Sequence, residues 1–465
     1  MRESPYRILE EALRPHLGAR AQVVLEEGLK RLGKRPEELS EKDAETLLKG
    51  LIFRELQARL PAAQARRAVE EALAHLLAQG YPTPPCEDVA LAAGLGRVLA
   101  RDVVATLAVP AFDNSAMDGY AVRSADCQIE GSTLHVVQTI AAGHPGTTIQ
   151  SGTAARIFTG ALLPEGCDAV VMQENTRREG AQVHILQAPR RGENIRLAGH
   201  DIAGGSKVLA RGHRLAPQDL GLLGSLGAVS VEVFKPLTVA LINTGDEVVP
   251  QGRPLKTGQL YDSNSHTLAG LLKQLGMNVI RLGIIGDDRE ATVEALREAA
   301  GKADCVITTG GVSVGDADHV KQALVVLGSL SLWKLAIKPG KPFSFGHIGA
   351  VPFFGLPGNP VAVFITFLIL VRPFLLKQQG AAQHLLQPLK ARADFAITEP
   401  GTRQEYLRVR LLRGEDGFPV VQLFADQSSS VLTSLSWADG LAVVPVGAIV
   451  KEGEWLDYLP FRGMA

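Results

Sequence analysis

Asp316 and Asp318 stand a short way beyond the paired glycines Gly310 and Gly311, in the stretch CVITTGGVSVGDADHV from Cys305 to Val320. The pattern predicts a short apolar strand (Cys305 to Thr308), a glycine turn and an acidic loop. A strand that stops at paired glycines brings bare backbone N–H groups to the carboxyl edge of its sheet, the edge at which open α/β sheets bind ligands. Two carboxylates just past that edge can hold a hard cation over a phosphate. An ordinary strand-to-helix turn uses glycines in the same way, so the chemistry depends on what else the chain brings to that edge.

Three further loops carry polar groups at expected strand ends: Thr244-Gly245-Asp246-Glu247, Lys338-Pro339-Gly340-Lys341-Pro342 and Leu356-Pro357-Gly358-Asn359-Pro360. Parallel strands share a carboxyl end, so all four loops are expected on one edge. Lys338 and Lys341 supply mobile positive charge for phosphate or another oxyanion. The helix opened by Pro360 offers its positive end as well. With the carboxylates, these loops point to a metal-assisted phosphate site. Earlier, PAFDNSAMDGYAV crowds Asp113, Asn114, Ser115 and Asp118 into one loop, with many oxygens and few apolar anchors. Thr159 and Gly160 end a strand, Asp201 closes a polar loop, and Asp287-Asp288 follow the strand MNVIRLGII.

The elements that must position these residues change character along the chain. Residues 1–80 carry leucines at helical spacing (Leu25, Leu29, Leu32) and a capping pattern at Ser40 and Asp43, and predict a helical accessory bundle for packing or docking. YPTPP is a stiff linker. Glu87–Val104 predicts one helix leading into a strand. Residues 105–203 form short strands between glycine turns, a β-rich insertion between 81–104 and 204–235, which are expected to pack together as a linking and dimerisation domain. Residues 236–382 alternate strand and helix, which implies a mostly parallel sheet with right-handed crossovers; LWKLAIK and Phe353-Phe354-Gly355 are taken as its last strands. Residues 383–465 return to short strands, a small β-barrel or sandwich. The fold class is therefore multidomain α/β plus β.

Composition narrows the function. Lysine plus arginine (48) nearly balances aspartate plus glutamate (49) in 465 residues, a net charge of −1 with no global pull toward nucleic acid or an anionic membrane. Aromatics at 5% leave no stacking platform for single strands. The four cysteines, Cys86, Cys127, Cys167 and Cys305, form no CxxC pair, which fits reduced thiols and a cytoplasmic protein. MRESPYRILEEALRP has no apolar signal core, and the apolar run Val361–Val371 is too short to span a bilayer and is expected to be a buried helix.

FDNSAMDGYAV, ARIFTGALLPEGCDAVVMQE, NTGDE, YDSNS, TTGGVSVGDAD, IKPGKPF and GLPGNPVAV together resemble the MoeA-type molybdopterin molybdenumtransferase family, which includes the E domain of gephyrin. The resemblance runs in order from about residue 82 to 463. It implies an enzyme that binds adenylylated molybdopterin, inserts molybdate into the dithiolene and releases molybdenum cofactor and AMP, with Mg²⁺. It also implies an elongated homodimer with the cleft between subunits, Asp118 reaching the site from the partner. Carried over by motif, the implied site residues are Asp118, Thr159 and Asp201, then Glu247, Asp287 or Asp288, Gly310, Gly311, Ser313, Asp318, Lys338, Lys341, Pro357 and Pro360, with Arg403 and Ser429 matching molybdate positions. Lys338, Lys341, Arg403 and Ser429 are assigned to the oxyanion; Glu247, Asp316 and Asp318 are assigned to metal and phosphate. Ala362 stands where several relatives place Ser after PGNPV. Residues 1–80 exceed the family's usual N-terminus, which implies an added protein partner or regulatory role. Two rival functions remain at this stage. One is a molybdopterin adenylyltransferase-like nucleotidyl transferase, which shares the α/β module but would lack the insertion and the C-terminal domain. The other is a non-catalytic scaffold that uses the N-terminal helices.

Overall fold

The computed structural model describes residues 70–311 and 319–461, with short stretches between 22 and 38. The chain divides into two compact units, Met1–Pro84 with Pro236–Ala465, and Pro85–Lys235.

The first unit is built on a six-stranded sheet in the order Asn278–Ile285, Thr238–Thr244, Cys305–Thr309, Val351–Leu356, Pro342–Ile348, Gly328–Lys334. The first four strands are parallel. Pro342–Ile348 alone runs the other way, between Val351–Leu356 and Gly328–Lys334. The central strands TVALINT and CVITT are buried almost throughout, as parallel strands covered on both faces must be. Leu296, Ala299, Val320, Ala323 and Leu324, from the helices Arg289–Lys302 and His319–Leu327, pack on Ala240, Ile242, Val306 and Phe353 of the sheet.

The buried helix is longer than its apolar run. It extends from Pro360 to Gln378, with a π-helical turn at Phe367–Val371. Pro373 has no N–H for the carbonyl four residues back, and its ring crowds that carbonyl; the widened turn just before it relieves both problems. At 19 residues the helix is long and apolar enough to cross a membrane, but 83% of it is buried inside the protein, which makes it a core helix.

C-terminal to it, five strands close on themselves in the order Gln404–Arg413, Pro419–Leu423, Leu389–Ala393, Trp455–Pro460, Gly440–Val444 and back to Gln404–Arg413. This is a barrel, not a sandwich, filled by Ala391, Leu407, Val409, Val421, Val444 and Leu456. The expected strand LWKLAIK is split. Gly328–Lys334 stays in the α/β sheet, whereas Ile337–Lys338 leaves it and pairs in parallel with Gln404 and Glu405 of the barrel.

The second unit holds a six-stranded mixed sheet in the order Ala169–Met172, Gly119–Val122, Thr153–Ile157, Ser132–Ile140, Gln182–Ile185, Thr176–Glu179. The segments flanking it join: Cys86–Ala90 pairs with Ser230–Phe234, and Val103–Val104 with Lys207–Leu209. The helix expected over Glu87–Val104 does not form. Cys86–Ala90 is a strand followed by a single 3₁₀ turn, Leu91–Ala93. Its backbone hydrogen bonds go to a strand far down the chain, a partner that local periodicity does not reveal. Of the expected N-terminal bundle, parts of 22–30 and residues 70–78 are helical, with Leu25, Leu29 and Leu76 buried. The bundle as a whole lies outside the described residues.

Candidate active-site cleft

A cleft of about 640 Å³ opens in the first unit at the carboxyl edge of the sheet. Three of the four polar loops line it through Gly310 and Gly311, Lys338 to Pro342, and Pro357 to Asn359; Ala362, Arg403, Gln427, Ser428 and Ser429 complete the wall. The cations Lys338, Lys341 and Arg403 face it, and no Asp or Glu is among the described lining residues. That composition suits an anion.

The glycine turn is fixed by its neighbours. Gly310 (φ +82°) donates its N–H to the Leu356 carbonyl at 3.1 Å, and a Cβ there would lie 2.8 Å from the Thr244 carbonyl oxygen. Gly311 (φ +62°) has equally little room, with Val320 Cγ2 at 2.7 Å and Thr244 Oγ1 at 2.9 Å from an added Cβ. Only glycine accepts that backbone in that space. The adjoining strand ends are tied by a buried bond from Thr309 Oγ1 to Asn243 Oδ1, 2.7 Å. The Asn264 side chain, in YDSNS, donates to the Gly358 carbonyl at 2.8 Å, so that motif braces the Pro357–Asn359 loop from behind.

Lys338 does not stand alone. Its Nζ lies 3.2 Å from both carboxylate oxygens of Glu405, its neighbour in the short parallel ladder. Two of its three ammonium hydrogens are thereby engaged and one is left for the cleft. Arg403 donates to the Ile337 carbonyl at 3.4 Å. Asn359 donates its side-chain N–H to Ser429 Oγ at 2.9 Å, and the Ser429 carbonyl accepts the Val361 N–H at 3.1 Å. The barrel loop therefore takes up one of the free N–H groups at the start of the buried helix, which leaves less of that helix end for a ligand than the sequence led us to expect. Pro360 opens the helix and does not line the cleft.

The remaining predicted residues fall elsewhere. Glu247 is outside the cleft lining; its carboxylate folds over Gly245, 2.5 Å from where a Cβ would sit. Asp288 is the N-cap of Arg289–Lys302, its Oδ1 accepting the Ala291 N–H at 2.7 Å, and the Asp287 N–H goes to Asp246 Oδ1 at 3.0 Å. In the second unit Asp118 and Thr159 are brought together: Asp118 Oδ1 accepts both the Thr159 N–H and its hydroxyl, each at 2.7 Å. These two bonds hold the Asp118 carboxyl below the usual carboxylate range, with help from the Arg156 charge. Asp201 is exposed, its N–H bonded to the Val109 carbonyl at 3.0 Å. Ser313, Asp316 and Asp318 lie outside the described residues. Among the described residues no group of three or more His, Cys, Asp or Glu could hold a metal ion.

Sequence reasoning missed Glu405, Asn359, Gln427 and Ser428. Asn359 was in plain view inside LPGNP, and the polar run DQSSS around Ser429 signalled its neighbours. Glu405 carried no signal, because its place beside Lys338 depends on a strand pairing between two parts of the chain far apart in sequence.

Three family models cover most of the chain: the MoeA N-terminal region (domain I and II) at residues 67–227, the probable molybdopterin binding domain at 240–377, and the MoeA C-terminal region (domain IV) at 390–461. The chain is 41% identical to the molybdopterin molybdenumtransferase of Haemophilus influenzae, over 82% of this chain and 95% of that protein. It is 40% identical to that of a Nostoc species, over 78% and 85%. The crystal structure of the molybdopterin biosynthesis moeA protein from Pyrococcus horikoshii OT3 superposes with a TM-score of 0.73 at 30% identity, covering 84% of this chain and 99% of that one. A fold and sequence shared along nearly the whole length of these relatives identify the chain as a member of the molybdopterin molybdenumtransferase family, enzymes of molybdenum cofactor biosynthesis.

Proposed function

We propose that this enzyme inserts molybdate into the dithiolene of adenylylated molybdopterin, giving molybdenum cofactor and AMP in a Mg²⁺-dependent reaction. The observation that carries this reading is the cleft itself, in which three cations and a left-handed glycine turn converge with no described carboxylate on the wall. A tetrahedral dianion matches Lys338, Lys341, Arg403 and Ser429: two compact ammonium charges, one fork of N–H donors and one hydroxyl. The bare backbone at Gly310 and Gly311 lets a phosphate approach the sheet edge. No nucleophilic side chain is needed, because the dithiolene sulfurs belong to the substrate. In this reading Glu405 holds Lys338 toward the cleft while leaving one N–H to donate. The working form is a homodimer in which Asp118, ionised through its bonds from Thr159, serves the partner's substrate, and residues 1–80 are a docking element for another protein.

The test is AMP release from adenylylated molybdopterin by the purified protein with Mg²⁺, with and without molybdate. Release is expected to require molybdate, with the molybdenum recovered on the pterin. Release at the same rate without molybdate would make the enzyme a nucleotide hydrolase and end the insertase reading.

A further inference from the structure

Arg408 is 1% exposed, yet no carboxylate pairs with it among the described residues. Its bonded acceptors are all uncharged: Ser434 Oγ at 3.0 Å from Nε, and the carbonyl oxygens of Asp426 and Ser428 at 3.3 and 3.0 Å from one Nη. Burial pushes the guanidinium down to about 10, which still leaves it charged at neutral pH. The Asp426 charge favours the cation, but no described carboxylate bonds to it, and a buried cation without a bonded counter-ion is costly, so its presence calls for a task. The location supplies one, because Asp426–Ser430 is the loop that brings Gln427, Ser428 and Ser429 to the cleft wall.

A peptide unit is planar and trans, so its C=O and the following N–H point in opposite directions. With the Asp426 and Ser428 carbonyls turned onto Arg408, the N–H groups of Gln427 and Ser429 are turned away from it. Neither N–H has a hydrogen-bond partner among the described residues, and both residues line the cleft. The Gln427 side chain is not available for a ligand: its Oε1 accepts the Arg408 N–H at 3.0 Å and its Nε2 donates to the carbonyls of Arg408 and Phe424 at 3.1 and 2.9 Å. What Gln427 offers the cleft is backbone.

We propose that Arg408 is a positioning residue that builds a backbone oxyanion cradle: it fixes two carbonyls beneath the barrel loop so that the N–H groups of Gln427 and Ser429 donate to the tetrahedral dianion in the cleft. The cradle adds neutral N–H donors to the lysine charges of the same cleft, with the buried guanidinium beneath the loop. This inference rests on the reading that the cleft takes an oxyanion.

The experiment has two arms on the full-length protein. In the first, wild-type protein labelled with ¹⁵N at serine and glutamine is titrated with sodium molybdate, and the backbone amide signals of Gln427 and Ser429 are followed. Both are expected to shift downfield with saturation, while other labelled amides far from the cleft stay put. In the second, Arg408→Met and Arg408→Lys are compared with wild type. Arg408→Met is expected to raise the molybdate KM at least about tenfold and to leave the KM for adenylylated molybdopterin within about twofold. Lysine, one donor group in place of a fork, is expected to recover part of the loss. Amides that do not move, or a folded Arg408→Met protein with unchanged molybdate KM, would overturn the cradle. Should Arg408→Met not fold, the wild-type amide shifts decide. Amide shifts on molybdate without molybdate-dependent AMP release would sink the insertase reading and leave the cradle standing; molybdate-dependent turnover with unmoved amides would do the reverse.

Discussion

At the scale of single residues, charges are held in place by their neighbours. Asp118 shows this with measurable consequences. Its carboxyl lies below the ordinary range chiefly because the Thr159 N–H, and then the Thr159 hydroxyl, donate to the ionised form. A folded-state pKa below the unfolded one means that these bonds are present at neutral pH and lost as pH falls through the lowered value. Thr159→Val removes the hydroxyl and keeps the N–H, so the Asp118 titration midpoint is expected to rise part of the way toward an ordinary carboxylate. If Asp118 serves the reaction as proposed, the acid limb of activity should move to higher pH with it. Carboxyl-carbon NMR of Asp118 in the two proteins checks this, and an unmoved midpoint would rule the hydroxyl out as a donor. Several individual residues were legible in the sequence: Lys338 and Lys341 sit in the motif IKPGKPF, Arg403 and Ser429 followed from the family resemblance, and all four line the cleft. Their partners were less so. Glu405 and Arg408 look like ordinary charged residues on a strand, and only the barrel's register shows one beside a cleft lysine and the other beneath the cleft loop.

At the scale of elements, the carboxyl edge of the sheet is set by glycines that are costly to replace and by others that are not. Gly310→Ala forces a Cβ to 2.8 Å from the Thr244 carbonyl oxygen on a backbone at φ +82°, and is expected to destabilise the protein by about 1–3 kcal/mol. Gly358→Ala, in the neighbouring loop, meets nothing closer than the Gly310 Cα at 4.0 Å and should change stability by less than about 1 kcal/mol. Denaturant midpoints of the two variants check the contrast; equal midpoints would mean that the turn relaxes around a methyl group. The alternation of strand and helix over 236–382 was readable because apolar central strands and capped helices are local signals. Asp288 as an N-cap is such a signal. The strand Cys86–Ala90 and the antiparallel Pro342–Ile348 were not readable, because a helix-like or loop-like run becomes a strand only when a distant partner supplies its hydrogen bonds. The Pro360–Gln378 helix was underestimated for the opposite reason: its Pro373 argues for a stop, and a π-helical turn carries the chain through it.

At the scale of the whole molecule, the proposed reaction would belong to a pair of chains. If Asp118 serves the partner's substrate, a mixture of Asp118→Ala and Lys338→Ala proteins, each inactive alone, should regain activity on co-expression. Each mixed dimer has one site with both residues intact, so purified mixed dimers are expected to show about half the wild-type turnover. Two inactive parents that give an inactive mixture would place both residues on one chain's site, or remove one of them from the chemistry. The same scale gives a different weight to the two residues Ile337 and Lys338. They belong by sequence to the α/β segment and by hydrogen bonding to the barrel, with Glu405 closing over Lys338 from the barrel side. The seam between these domains is therefore stitched, not hinged. Anyone grafting a barrel from a relative onto this chain, to alter which oxyanion is accepted, would have to carry the matching stitch from the other side of the seam. A graft cut at the apparent domain boundary, after the buried helix, would leave a lysine facing a foreign edge.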